Sequence, residues 1–283
     1  MKKKTAILGL LLSLSILAAG CGTEDNNLPR FSNLTEESIR YDLDSLLQQQ
    51  GVSDERRNVL YTHVDQINGV LRQDQLTEGF APLGEPAYDV YDLQDAWTEK
   101  YPDFLGYDCR ITAFSLYEDA FQSLPEPELP PNAELLQLDL AALDEDNSAF
   151  PDSERKFLNF FSPVPTENTR DIAVHAEKVQ NAWQDRGIAF ADGKKMTMIN
   201  VFFHMQEEDR NLLYVGHAGI LLETPDGQLW FLEKLAFQQP YQLVEFHSRK
   251  DLQTYLMDKY DVDQGQPTAK PFIMENDHLM KTR

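Results

Sequence analysis

The stretch LLYVGHAGILLETPDGQLWFLEKLAF, residues 212–237, decides the fold. Two runs rich in Leu, Val, Ile and aromatics flank Thr224-Pro225-Asp226-Gly227, a tight-turn sequence, so they read as neighbouring antiparallel strands. Similar composition continues outward, in Met196 to Phe203 before them and Tyr241 to Phe246 after them. Together the four runs predict an antiparallel meander. Ser248 to Tyr260 predicts a helix on the sheet, and Phe272 to Met274 a last edge strand.

Upstream the pattern is helical. Leu34 to Gln50 carries the stripe Ile39, Leu43, Leu46 and Leu47, with Thr35 as its cap and Gly51 as its end. Ser53 caps a second helix, and the two predict a hairpin. Leu76 to Pro86, rich in Gly and Pro, is a loop, and a short helix follows around Leu93 to Glu99. Cys109 opens an amphipathic core helix that runs towards Phe121 and is stopped by Pro125, Pro127, Pro130 and Pro131. Asn132 to Leu143, Ser153 to Phe161 and Thr169 to Arg186 are three further helical stretches. Helices first and antiparallel strands later define an α+β fold.

The chain has two cysteines. Lys2, Lys3 and Lys4 precede an uncharged apolar run, Thr5 to Leu17, too short to span a bilayer comfortably, and small residues follow. This is a signal-peptide pattern over residues 1–20. Its ending, Leu17-Ala18-Ala19-Gly20-Cys21, resembles a bacterial lipoprotein box. The resemblance implies acylation at Cys21, a short polar tether through residues 21–30, and anchorage to the outer face of the bacterial cell membrane without a spanning helix. Cys109 would then have no disulfide partner in the chain, and an unpaired thiol on an exported protein is an oxidation liability unless it has a use.

A thiol at a helix N-terminus gains from the free N–H groups and the helix dipole, which favour its anion. A nearby imidazole would supply the base. His217 fits best, because it lies within a strand run between Gly216 and Gly219, which leave room for another group to approach. Glu233 is the one carboxylate in the next strand run, and the turn at Thr224 to Gly227 brings it towards His217, where it would orient the imidazole. The strand register is open: a slip of one residue sends Glu233 to the opposite face. Each residue also has a plain structural reading. Cys109 could be an inert core thiol, His217 a satisfied sheet histidine, and Glu233 the partner of a helix arginine. His63, His175 and His278 read as surface or helix-packing residues. His204 and His247 lack metal-ligand spacing, and no acidic loop fits an EF-hand, so no metal or other cofactor is expected.

Asp108-Cys109 at a helix start, followed much later by His217-Ala218-Gly219-Ile220 on a strand, resembles the papain-like cysteine hydrolases, especially the NlpC/P60 cell-wall peptidases. The resemblance implies an N-terminal helical lobe whose nucleophile helix packs on a C-terminal antiparallel sheet. It makes residues 31–283 one domain, with a helical insertion at about 125–190. It also implies a Cys109–His217–Glu233 triad acting on a peptide or amide bond, including cell-wall peptide. The sequence departs from that pattern in having Arg110-Ile111 after the cysteine, where Ser-Gly is usual, and Glu233 where a histidine is common. The stretches around Cys109 and Glu233 to Phe237 are also similar to DUF4300, a Gram-positive lipoprotein family of unassigned function. The alternative function is a non-catalytic surface lipoprotein that binds an envelope component or a protein partner. A transporter's solute-binding lipoprotein needs two lobes of alternating strands and helices, a pattern this chain lacks.

Composition supports a folded domain, a monomer is expected, and the leader implies an extracytoplasmic location. Hydrophobic residues make up 42% of the chain and aromatics 11%, enough for a core. The net charge of −22 repels nucleic acid and anionic headgroups, so the membrane partner would be reached through the lipid alone.

Overall fold

A computed structural model describes residues 28–129, 131–207, 210–262 and 265–281. The leader, Cys21 and most of the tether lie outside these residues. In chain order the elements are β1 (Arg30–Ser32), α1 (Glu37–Gln49), α2 (Asp54–Asn68), β2 (Ala81–Pro82), α3 (Val90–Lys100), α4 (Cys109–Tyr117), β3 (Phe121–Ser123), α5 (Gln137–Glu145), α6 (Glu154–Phe161), β4 (Val164–Thr166), α7 (Ile172–Asp185), β5 (Ala189–Phe190), β6 (Met196–Glu207), β7 (Arg210–Glu223), β8 (Leu229–Lys234), β9 (Tyr241–Phe246), α8 (Arg249–Tyr260), β10 (Phe272–Glu275) and β11 (His278–Leu279). The chain is thus an α+β protein built on an antiparallel sheet. No helix among the described residues is long and apolar enough to cross a membrane.

The main sheet runs β11-β10-β6-β7-β8-β9-β1-β2, with β4 also paired to β7. The meander β6–β9 forms its centre, and the turn after Glu223 sets Gly219 opposite Glu233. Strand alternation sends side chains to two cores. On one face Met198, Ala218, Ile220, Leu232 and Leu243 meet the helices α1–α7. On the other, Ile199, Val201, Leu221, Phe231 and Val244 meet Leu252 and Leu256 of α8.

Helix α4 is the central piece of the first core. Asp108 caps it, its Oδ1 accepting from the Ile111 N–H at 2.9 Å. The helix is less amphipathic than its sequence suggests: every residue except Arg110 is buried. A helix buried on nearly every side belongs in the middle of a core, and here the sheet, α2 and the Phe150–Phe157–Phe161 cluster enclose it. It also ends before Phe121. Glu118, held by Arg56, Ser153 and Lys156, starts a tighter 3-10 turn, and Phe121 begins β3.

Two further expectations shift. Ser53 caps α2 as expected, but Thr35 does not cap α1; it donates to the Thr77 carbonyl at 3.1 Å, and Glu36 takes the cap position without a side-chain bond. β10 is not an edge strand. It pairs with β6 on one side and β11 on the other, because Asn276 takes a left-handed turn (φ 52°) that folds His278 back.

Candidate active site

The site begins with an irregularity in β7. Val201 of β6 pairs with His217 but Phe202 pairs with Val215, so Gly216 is an extra residue, a β-bulge. Its effect can be read from the two cores. Leu213 and Val215 face the helical core, and so do Ala218 and Ile220, three residues further on rather than two. The bulge therefore turns His217 to the α8 face. Gly216 makes this possible, since a Cβ there would overlap the Phe203 ring. At Gly219 a Cβ would overlap the Phe231 ring. The room that these glycines leave is thus filled by aromatic rings from neighbouring strands.

On the α8 face His217 meets its expected carboxylate. Nε2 of the ring lies 2.6 Å from Glu233 Oε2, with the two residues 1% and 0% exposed. The register that sequence left open places both side chains on the same face. The ring also stacks on Tyr260, centroids 4.9 Å apart, and meets the edge of Phe231. The second Glu233 oxygen accepts from the Tyr255 hydroxyl, which in turn accepts from Lys259 Nζ at 2.9 Å. Burial by itself would raise the Glu233 carboxyl. The Lys259 ammonium 3.9 Å away, the hydrogen bond with His217 and the Tyr255 hydroxyl outweigh it and hold the group down at about 2.

Cys109 is the first residue of α4, the helix that packs on β7 and β8 from the helical side of the sheet. Arg110 fastens the helix end there. Its Nη1 donates to the Val215 carbonyl at 3.0 Å, and its Nε and Nη2 hold both oxygens of buried Asp139 at 2.8 and 2.6 Å. Asp108 adds a third contact at 3.2 Å. The Ala218 N–H, from the residue after His217, is close enough to the sulfur to favour its anion, as does the Arg110 guanidinium. Neither prevails. Burial (the residue is 6% exposed) and the neighbouring Asp108 carboxylate push the thiol up to about 12. The lowered thiol pKa expected from the helix N-terminus is therefore not found: desolvation exceeds what the helix end supplies.

The other histidines fall outside this site. His63 is buried beside Tyr107 and Asp146, and burial lowers it to about 4. His175 and His204 form a buried ring pair 4.6 Å apart, each hydrogen-bonded to loop or strand groups, and His278 is exposed. Among the described residues no group of His, Cys, Asp and Glu could hold a metal ion. Sequence reading missed Tyr255, Lys259 and Tyr260. Their signal was the α8 stripe Leu252, Tyr255, Leu256, Lys259 and Tyr260, which places a lysine and two tyrosines on the sheet-facing side. It also missed Asp139, whose sequence surroundings give no hint of Arg110.

Fold and site together define an α+β protein with a buried histidine–carboxylate pair on one strand pair and a free, buried thiol at the start of the helix packed on those strands. The chain belongs to the DUF4300 family, a domain of unknown function, whose profile matches residues 30–280. No curated protein and no solved structure matches it.

Proposed function

We propose that this protein is a lipid-anchored extracytoplasmic cysteine hydrolase of the papain-like, NlpC/P60-related class. One observation carries the reading. The 2.6 Å His217–Glu233 pair sits on β7 and β8, the two strands against which α4, the helix that Cys109 opens, packs. Glu233 occupies Nε2, so Nδ1 is the nitrogen left to take the thiol proton. Cys109 would lose that proton to His217 and attack the acyl carbon. The C–N bond would then break, with the amine taking the proton from His217, and water would release the acyl group from sulfur. The sequence order supports the class: cysteine at a helix start, histidine on a later strand, carboxylate on the next. The peptide or amide substrate, cell-wall peptide included, rests on that likeness. Because the thiol is buried and held protonated, reaction requires the packing around it to open.

A second reading has its own support. The same burial and raised thiol pKa suit an inert core cysteine in a surface lipoprotein that binds an envelope component or a protein partner.

Labelling by a thiol-reactive acylating probe separates the two. The hydrolase reading expects wild-type protein to be acylated at Cys109, Cys109→Ala to be unlabelled there, and His217→Ala to be slowed by at least about a hundredfold. Equal labelling of wild type and Cys109→Ala, or none in either, removes the nucleophile. The mass of the N-terminal peptide from a membrane fraction checks the lipid on Cys21.

A further inference from the structure

The α8 face carries a polar chain that the triad does not need for its own geometry. From Glu233 it passes to the Tyr255 hydroxyl and then to Lys259 Nζ, 2.9 Å away. Tyr255 and Lys259 are one helical turn apart, so both project from the same side of α8. The surroundings are apolar: Phe231, Val244, Leu252 and Leu256 form the core on this face. Burying the Glu233 charge there is a poor route to stability, since an apolar group of similar volume often does as well or better; Lys259, at the outer end of the polar chain, stays 28% exposed. The geometry of the polar chain answers a different need. Glu233 has two oxygens, and His217 takes only one. A carboxylate held at one oxygen can rotate about its last bond; held at both, it has a single orientation and so does the ring it grips.

We propose that Tyr255 and Lys259 are positioning residues for His217, fixing through Glu233 the tautomer and ring plane that the base requires. The inference rests on the reading of His217 as a general base. Tyr255 supplies the second hydrogen bond to Glu233. Lys259 orients the Tyr255 hydroxyl towards the carboxylate, because its ammonium donates to that oxygen and leaves the phenolic hydrogen free to point at Glu233. It also supplies positive charge 3.9 Å from the carboxylate. The other ionisable groups near Glu233 are Tyr88 and Tyr260, both raised further by burial, and His217 itself; Lys259 and His217 are the groups whose positive charge favours the carboxylate. Helix α8 thereby becomes part of the site although it touches no reacting atom.

The test uses Tyr255→Phe, Lys259→Gln and Lys259→Arg in the whole mature chain, with two readouts. The first is the Glu233 carboxyl titration by carbon-13 NMR, assigned with Glu233→Gln. Tyr255→Phe and Lys259→Gln should each move its midpoint upward, and Lys259→Arg should leave it near the wild-type position. The second is the pH profile of Cys109 acylation by the probe used above. Tyr255→Phe and Lys259→Gln should slow it about tenfold and shift its acid limb to higher pH, with Lys259→Arg restoring both. A Glu233 midpoint unmoved in both Tyr255→Phe and Lys259→Gln overturns the proposal, as does an acylation profile superimposable on wild type. The two failures are distinguishable. If wild-type protein is not acylated, the hydrolase reading falls, and the Glu233 titration still decides whether Tyr255 and Lys259 control the carboxylate.

Discussion

Glu233 shows how one residue's surroundings can reverse the usual effect of burial. A carboxylate with no exposed surface should resist ionisation, yet a lysine, a tyrosine and a histidine hold this one as an anion. The sign of its contribution to stability follows. Its folded pKa, about 2, lies below the ordinary value of 4.5, so its stabilisation is complete above the ordinary value and is lost as pH falls towards 2. Glu233→Gln should therefore lose on the order of 3 kcal/mol at neutral pH, and the gap to wild type should close as pH falls from about 5 to 2. Urea unfolding of both proteins across that range measures it; a gap of constant size would contradict the pairing described. That the His217 and Glu233 strands lie side by side was legible in the sequence because a tight turn joins them; that the two side chains share a face was not, because register and the Gly216 bulge decide it. Tyr255 was not, because nothing local says which face of α8 meets a carboxylate.

At the scale of elements, α4 carries two opposed influences on its first residue. The helix end and Arg110 favour a thiolate, while the cap Asp108 opposes it with negative charge. Asn caps a helix about as well as Asp but brings no charge. Asp108→Asn should keep α4 intact and lower the Cys109 thiol from about 12, as read from the carbon-13 shift of its Cβ against pH. A midpoint that rises or stays in place would show that the Asp108 charge does not reach the sulfur. The start of α4, like the meander, could be read from sequence because the Asp108 cap and the strand composition are local signals. Its burial on every side could not, since that depends on the distant Phe150, Phe157 and Phe161. The bulge at Gly216 was also hidden: a lone glycine in a strand signals close approach without saying which residue is left unpaired.

The whole molecule is a sheet with a core on each face; α4, which Cys109 opens, belongs to one face, and the His217–Glu233 pair lies on the other. The α+β class and the order of the main helices and the meander were open to reading, because helical and strand periodicities dominate separate halves of the chain; the short strands β1 to β5, which lie among the helices, were not. The split of the site between faces was not, because it depends on register. Charge also acts at this scale. With a net −22, the surface repels itself, and salt screens that repulsion over about 8 to 10 Å. Raising sodium chloride from 10 to 200 mM, two conditions chosen around that screening range, should raise the thermal midpoint by a few degrees. A falling midpoint would mean that exposed ion pairs such as Arg210–Glu134, which salt also screens, outweigh the surface repulsion.

The additional glycine in β7 makes the handedness of the site a matter of counting. Remove Gly216 and no chemistry is deleted, yet the imidazole would be presented to the interior that holds Phe114 and Trp183, and its carboxylate would be stranded across the sheet. Within this family, chain length through that strand is therefore a sharper sign of the buried imidazole–carboxylate pair than the presence of its two side chains.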